Sequence, residues 1–208
     1  MNNSTKSDES IYLSLSLPLD YKKSNIFVNS NYQHNTVQDQ TNDNFGVNLS
    51  GTLGEHNNIN FGLGISQYQS SDSNSTTYNA NIGYLLPQTN LAATVYSNGN
   101  DTQYSVSAQG AIVAHSYGIT ATNSVADTYS IIHVENGTGA TVENAWGVKL
   151  DRWGNAIYPN VSAYNLNSIA INPDQLPPEV TLDSNQTQVI PRLYSSTLVT
   201  FKANVQSN

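Results

Sequence analysis

The chain has 208 residues, a formal net charge of −8, only 11% charged residues and no cysteine. Seven Lys and Arg against fifteen Asp and Glu cannot neutralise a run of phosphates, which excludes nucleic-acid binding. The missing cysteines remove disulfide frameworks, thiolate metal sites and cysteine nucleophiles. In their place Asn, Ser and Thr make up about a third of the chain, beside 13 Tyr and 13 Gly, a mixture suited to β-structure with polar surfaces.

Residues 1–10, MNNSTKSDES, lack the apolar h-region of a secretory signal and are expected to form a disordered segment ahead of one region over 11–208. From there the apolar residues alternate with period two, the mark of strands with one apolar and one polar face. Leu13, Leu15, Leu17 and Leu19 oppose Ser14 and Ser16, and Phe45, Val47 and Leu49 oppose Gly46, Asn48 and Ser50. Ile59, Phe61, Leu63 and Ile65 face away from Asn60, Gly62, Gly64 and Ser66. Tyr78, Ala80, Ile82 and Tyr84 oppose Asn79, Asn81 and Gly83, and Ala93 and Val95 precede Tyr104, Val106 and Ala108.

Turn-forming clusters fall at Asn42–Asn44, Glu55–Asn58, Ser70–Ser75, Ser97–Asp101 and Glu135–Gly139. Most prolines follow residue 158 and mark turns, edges or strand starts. No helical stripe, no apolar run of about 18 residues and no linker between domains stands out. The pattern predicts an all-β antiparallel meander of about eight to eleven strands.

Such faces have two readings: a soluble sandwich whose apolar face is core, or an outer-membrane barrel whose apolar face meets lipid. Uncharged amides and hydroxyls on the polar face, with Tyr near strand ends, favour the barrel.

Motifs that carry chemistry are sparse. His34, His56, His115 and His133 are scattered without ligand spacing, and Asp39 with Asp43, or Asp72 with Asn74, lack the rest of a calcium loop. Gly62-Leu-Gly64 and Gly137-Thr-Gly139 are too short to cradle a phosphate. Asp20, Glu55, Asp101, Glu143 and Asp151 are the carboxylates that a glycoside hydrolase would have to bring together, with no motif to organise them. Asn-x-Ser/Thr triplets are expected by chance in this composition and carry no weight. No catalytic, cofactor-binding or metal residues are assigned.

The C-terminal half carries a more specific signal: Val142, Glu143, Asn144, Asp151, Gly154, Ala156, Pro159, Tyr164, Asn167, Leu176, Val180 and Leu182, then Val189, Ile190, Pro191 and Phe201. In that order they resemble the end of the translocation pore of fimbrial ushers, the outer-membrane proteins of the chaperone–usher pathway. SLSLPLD over 14–20, the run 51–68 and QGAIVAHSYGIT over 109–120 are similar to earlier usher segments, and His115 is a family position. The chain departs where family members carry Pro-Thr-x-Gly-Ala: here stand Pro191-Arg192-Leu193-Tyr194-Ser195, so Tyr194 replaces a glycine. Pro159-Asn160 and Ile171-Asn172 replace Pro-Tyr and Leu-Asp.

The resemblance implies a non-enzymatic conduit in the outer membrane of a Gram-negative cell, without cofactor, handling pilus subunits and periplasmic chaperone–subunit complexes through an intact usher, its apolar faces against lipid. It implies that 11–208 is the C-terminal portion of the pore barrel, fewer than half its strands and an incomplete barrel, hence a fragment. A different outer-membrane barrel or translocator and a soluble secreted β-sandwich binding a surface are the alternatives. Phe61→Arg is expected to hinder membrane assembly much more than Asn60→Arg.

Overall fold

The alternating runs become seven strands: β1 (Glu9–Tyr21), β2 (Ser24–Val37), β3 (Gln40–Leu53), β4 (Ile59–Ser70), β5 (Asn74–Leu85), β6 (Asn90–Ser97) and β7 (Thr102–Gln109). The structure, a computed structural model, describes residues 8–21, 24–54 and 57–205, with the side chains of 20 and 21 not included. The seven strands form one sheet in sequence order, each bonded to the next. Register places Leu17, Val28, Leu49, Leu63 and Ala80 in one row across β1 to β5. One residue along, Ser16, Asn29, Asn48, Gly64 and Asn79 form a row on the opposite face. With a side-chain period of two, a slip by one residue would exchange the two rows, so the pattern excludes such slips and the turns select among the registers that remain.

The β2–β3 turn is tighter and earlier than the composition suggested. Gln38 and Asp39 both adopt positive φ, 50° and 67°, the two-residue hairpin turn whose twist matches the flanking strands. Asn42–Asn44 are therefore drawn into β3 and pair with Asn35, His34 and Gln33, although their residue types favour a turn. Glu9 and Ser10 also lie in a strand, contrary to the expected disorder over 1–10; they pair with Thr36 and Asn35, and the Ser10 hydroxyl donates to Asn35 Oδ1 at 2.6 Å. Residues 1–7 lie outside the described residues.

The remaining strands are short: β8 (Ala111–His115), β9 (Gly118–Thr122), β10 (Tyr129–Val134), β11 (Asn155–Tyr158), β12 (Asn167–Ala170), β13 (Val180–Leu182), β14 (Gln186–Val189), β15 (Ser196–Phe201) and β16 (Ala203–Val205). Sixteen strands among the described residues exceed the eight to eleven expected, because runs of three to six residues carry too little alternation to be seen. The chain divides into two compact units, Met1–Tyr84 with Leu91–Ser107, and Leu85–Asn90 with Ala108–Asn208. The expectation of a single barrel portion over 11–208 missed this seam because it lies at β-strands and a turn, without a linker.

The second unit is built around β10, antiparallel to β11 and parallel to β15. Ile132 and Val134 pack with Val142, Val148, Leu150, Ile169, Ile171 and Phe201, while Ile131 joins Val113 and Ile157 in a smaller cluster. A strand buried on both faces loses its alternation, which is why β10 was invisible as a period-two run. The parallel pairing also departs from the expected all-antiparallel order. Its two strands are separated by the whole of 135–195, room for the crossover that parallel pairing requires.

Candidate membrane-facing wall and polar lining

Every fully buried apolar side chain among the described residues lies at Val113 or later, in the second unit. The seven-stranded sheet has no core of its own: Leu13, Leu15, Leu63 and Ile82 are 61%, 58%, 52% and 52% exposed. Covering the exposed half of each such side chain is worth about 1–2 kcal/mol, so this face favours an apolar medium. Strand length points to the same medium. β1 to β5 have 12 to 14 residues, above the ~9–11 that a tilted strand needs to cross a bilayer, whereas β8 to β16 have only 3 to 6.

On the opposite face asparagine and glycine interlock. A Cβ on Gly46 would meet Asn31 Oδ1 at 2.6 Å, and one on Gly83 would meet Asn60 Nδ2 at 2.6 Å. The side chain of Asn81 lies over Gly62, and those of Asn48 and Asn79 both lie over Gly64. The glycines thus leave space in which carboxamides fold down onto the sheet, giving an uncharged polar surface of low relief. The sequence showed both residue types on this face, but which Asn covers which Gly follows only from register.

Near the Gln38–Asp39 turn the apolar face gives way to a polar cluster. The Tyr32 hydroxyl donates to Asp43 Oδ1 at 2.6 Å, and His34 Nδ1 lies 2.8 Å from the same oxygen. A carboxylate here has its donors supplied by neighbours on the same face, as suits a boundary between lipid and water.

The other residues weighed for chemistry do not assemble. Glu55 and His56, and the side chain of Asp20, lie outside the described residues. Asp72 and Asp101 sit in exposed turns, where Asp72 N–H donates to Ser70 Oγ and Asp101 N–H to Asn98 Oδ1. Gly62 and Gly64 lie within β4, and Gly137 and Gly139 follow β10. Asp151 Oδ1 accepts from Trp153 N–H at 2.8 Å and Asn155 N–H at 2.9 Å, closing a turn. Glu143 lies in the second unit, its backbone N–H bonded to Ala170 O. Among the described residues no group of three His, Asp or Glu converges as a metal site would need.

His115 and His133 are structural. His115 Nδ1 accepts the Tyr117 N–H at 3.2 Å, so Nε2 carries the proton facing Thr120 Oγ1 at 2.8 Å. Burial holds its pKa below the ordinary histidine value. His133 donates from Nδ1 to Asn155 Oδ1 at 2.7 Å, and its ring stacks on Tyr117 with centroids 3.7 Å apart.

The Tyr164 and Asn167 pair has a mechanical explanation. Asn167 Oδ1 accepts Ser162 N–H at 2.8 Å, and its Nδ2 lies within bonding distance of the carbonyls of Ser162, Asn165 and Val189. One carboxamide thus holds the loop that carries Tyr164. Asn167→Ala should cost about 2–3 kcal/mol, since it orphans several backbone groups at once, measurable as a lower midpoint in denaturant with unchanged slope. At the neighbouring departure Asn172 accepts from Asp174 N–H at 3.1 Å and caps the short 3-10 helix Pro173–Gln175, a role that Asp would also fill.

Comparisons with known proteins agree with this architecture. A family model described as "Outer membrane usher protein" matches residues 1–200. The outer membrane usher protein HifC of Haemophilus influenzae is 37% identical over 203 residues, 95% of this chain and 22% of the relative. The usher YraJ of Escherichia coli K12 is 26% identical over 201 residues, again 95% of this chain and 23% of the relative. The chain therefore spans less than a quarter of their length. In solved structures, a chain of the E. coli P pilus tip assembly intermediate PapC-PapD-PapK-PapG superimposes with a TM-score of 0.73 at 18% identity, covering 94% of this chain and 23% of that one, which shows a shared fold.

Proposed function

The chain belongs to the outer membrane usher family, and on that premise we propose that its first unit is a length of transmembrane barrel wall whose intact parent passes pilus subunits across the outer membrane. The observation that carries this reading is the bare apolar face of the seven-stranded sheet, five of whose strands, β1 to β5, are long enough to span a bilayer. The apolar side meets lipid, and the Asn/Gly side lines the lumen along which folded subunits slide. Chaperone–subunit complexes are the partners, and the role is passage without catalysis.

Seven strands leave two sheet edges, β1 and β7, whose unpaired backbone groups are costly in hydrocarbon. Closure therefore falls to further strands of the parent. The second unit has its own core and strands too short to cross a bilayer, so it folds as a water-soluble body. A soluble sandwich is disfavoured because, among the described residues, the first unit contains a single sheet and no second sheet of its own.

The test is replacement of the matching segment of the Haemophilus relative by this chain in cells lacking their own usher. Surface pili at near-normal number are expected. A stable, membrane-inserted chimera that secretes no subunits would refute the conduit.

A further inference from the structure

Two loops of the second unit, 162–166 and 190–195, present a group of exposed apolar side chains that the barrel reading does not use. Tyr164 and Tyr194 are 71% and 75% exposed, Leu166 and Ile190 are 61% and 65%, and Leu193 is 49%. The loops adjoin: Tyr164 N–H donates to Pro191 O at 2.8 Å, and Asn167 pairs with Val189 where β12 begins and β14 ends. Both tyrosines hold φ at 58°, a left-handed conformation that bulky residues rarely adopt. The backbone around them is tied down. Tyr194 N–H donates to buried Thr128 Oγ1 at 3.0 Å, the Ser195 hydroxyl to Arg192 O at 2.6 Å, and Asn167 holds the other loop. Strain thus displays two rings to solvent on a stiff support.

We propose that this tip is a membrane-interface anchor: Tyr164, Leu166, Ile190, Leu193 and Tyr194 enter the headgroup layer, and Arg192 pairs with a lipid phosphate. The charge pattern selects this partner. Arg192 is the only charged residue in either loop, with no Asp or Glu, in a chain of net charge −8. An acid-free tip of Tyr, Leu and Ile around one Arg has the composition that settles at an anionic bilayer surface. The proposal rests on the reading above only in placing the chain beside a bilayer.

The chain has no cysteine, so single reporters can be introduced cleanly. The full chain labelled with an environment-sensitive fluorophore at Leu193→Cys is mixed with vesicles of phosphatidylethanolamine and phosphatidylglycerol. Labels at Leu63→Cys and Glu179→Cys report on the sheet face and on an exposed site elsewhere in the second unit. Blue-shifted, brightened emission is expected at Leu193 and absent at Glu179. A Leu193 label that stays aqueous while Leu63 enters lipid overturns the anchor and leaves the barrel wall standing; an aqueous Leu63 label with a shifted Leu193 does the reverse. Tyr194→Gly relieves the left-handed strain, so it should raise thermal stability while weakening vesicle binding about tenfold. Unchanged binding in that variant overturns the proposal, as does a Leu193 label that ignores vesicles and responds only to added protein.

Discussion

Leu63→Arg should abolish assembly into a bilayer, and Asn60→Arg should leave it largely intact. Leu63 lies in the interior of β4, in a row with Leu49 and Ala80, and is 52% exposed. Phe61, the position singled out by sequence, shares the face but lies closer to the Ile59 end of the strand, where water is nearer. An arginine at bilayer depth on the lipid side of a barrel costs about 2–4 kcal/mol, or roughly 30- to 900-fold in the assembled fraction. Asn60 belongs to the other face, over Gly83, where an arginine extends into water. The check is the protease-protected, heat-modifiable fraction in outer membranes of cells producing each variant. Equal losses would sink the assignment of faces.

Gly154→Ala should unfold the second unit at temperatures where the parent chain is fully folded. Gly154 has φ +74°, and a Cβ there would overlap the backbone oxygen of Val134. Neither atom can move freely. Val134 is completely buried, its N–H donates to Gly154 O at 2.8 Å, and Gly154 N–H donates to Asp151 O at 3.0 Å. Backbone strain, steric overlap and a disturbed strand bond together should cost about 3–5 kcal/mol. In a unit of roughly a hundred residues that lowers the melting temperature by about 12 °C or more. Gly139 provides the comparison, with φ +85° but nothing within 4 Å of an added Cβ. Gly139→Ala should carry only the conformational cost of about 1–2 kcal/mol. Equal losses at the two sites, measured by thermal denaturation, would show that the contact with Val134 is irrelevant.

Gly154 and Tyr194 show two sides of the family pattern. Gly154 is retained because backbone fills the space a side chain would need. Tyr194 stands where the resemblance to ushers led us to expect glycine, yet holds a left-handed backbone, with its ring exposed. The sequence marked that position as a departure; only the backbone shows that the turn survived and that the tyrosine bears its strain.

Features governed by local rules were legible in the amino-acid order alone. Alternation along Leu13–Leu19, Phe45–Leu49 and Ile59–Ile65 specified strands and their faces and, through the period of two, excluded register slips by one residue. The ordered residues from Val142 to Phe201 identified the family before any coordinates. Tertiary structure alone decided what depends on contacts distant in the chain. It drew Asn42–Asn44 into β3, where cross-strand pairing outweighs turn propensity, and laid Asn48 and Asn79 over Gly64. It buried β10 on both faces beside β15, erasing the alternation that would have announced it. And among the described residues it gave the first unit a single sheet and the second unit a closed core of its own: period two says which residues share a face, but whether protein or lipid covers that face depends on what is folded against it.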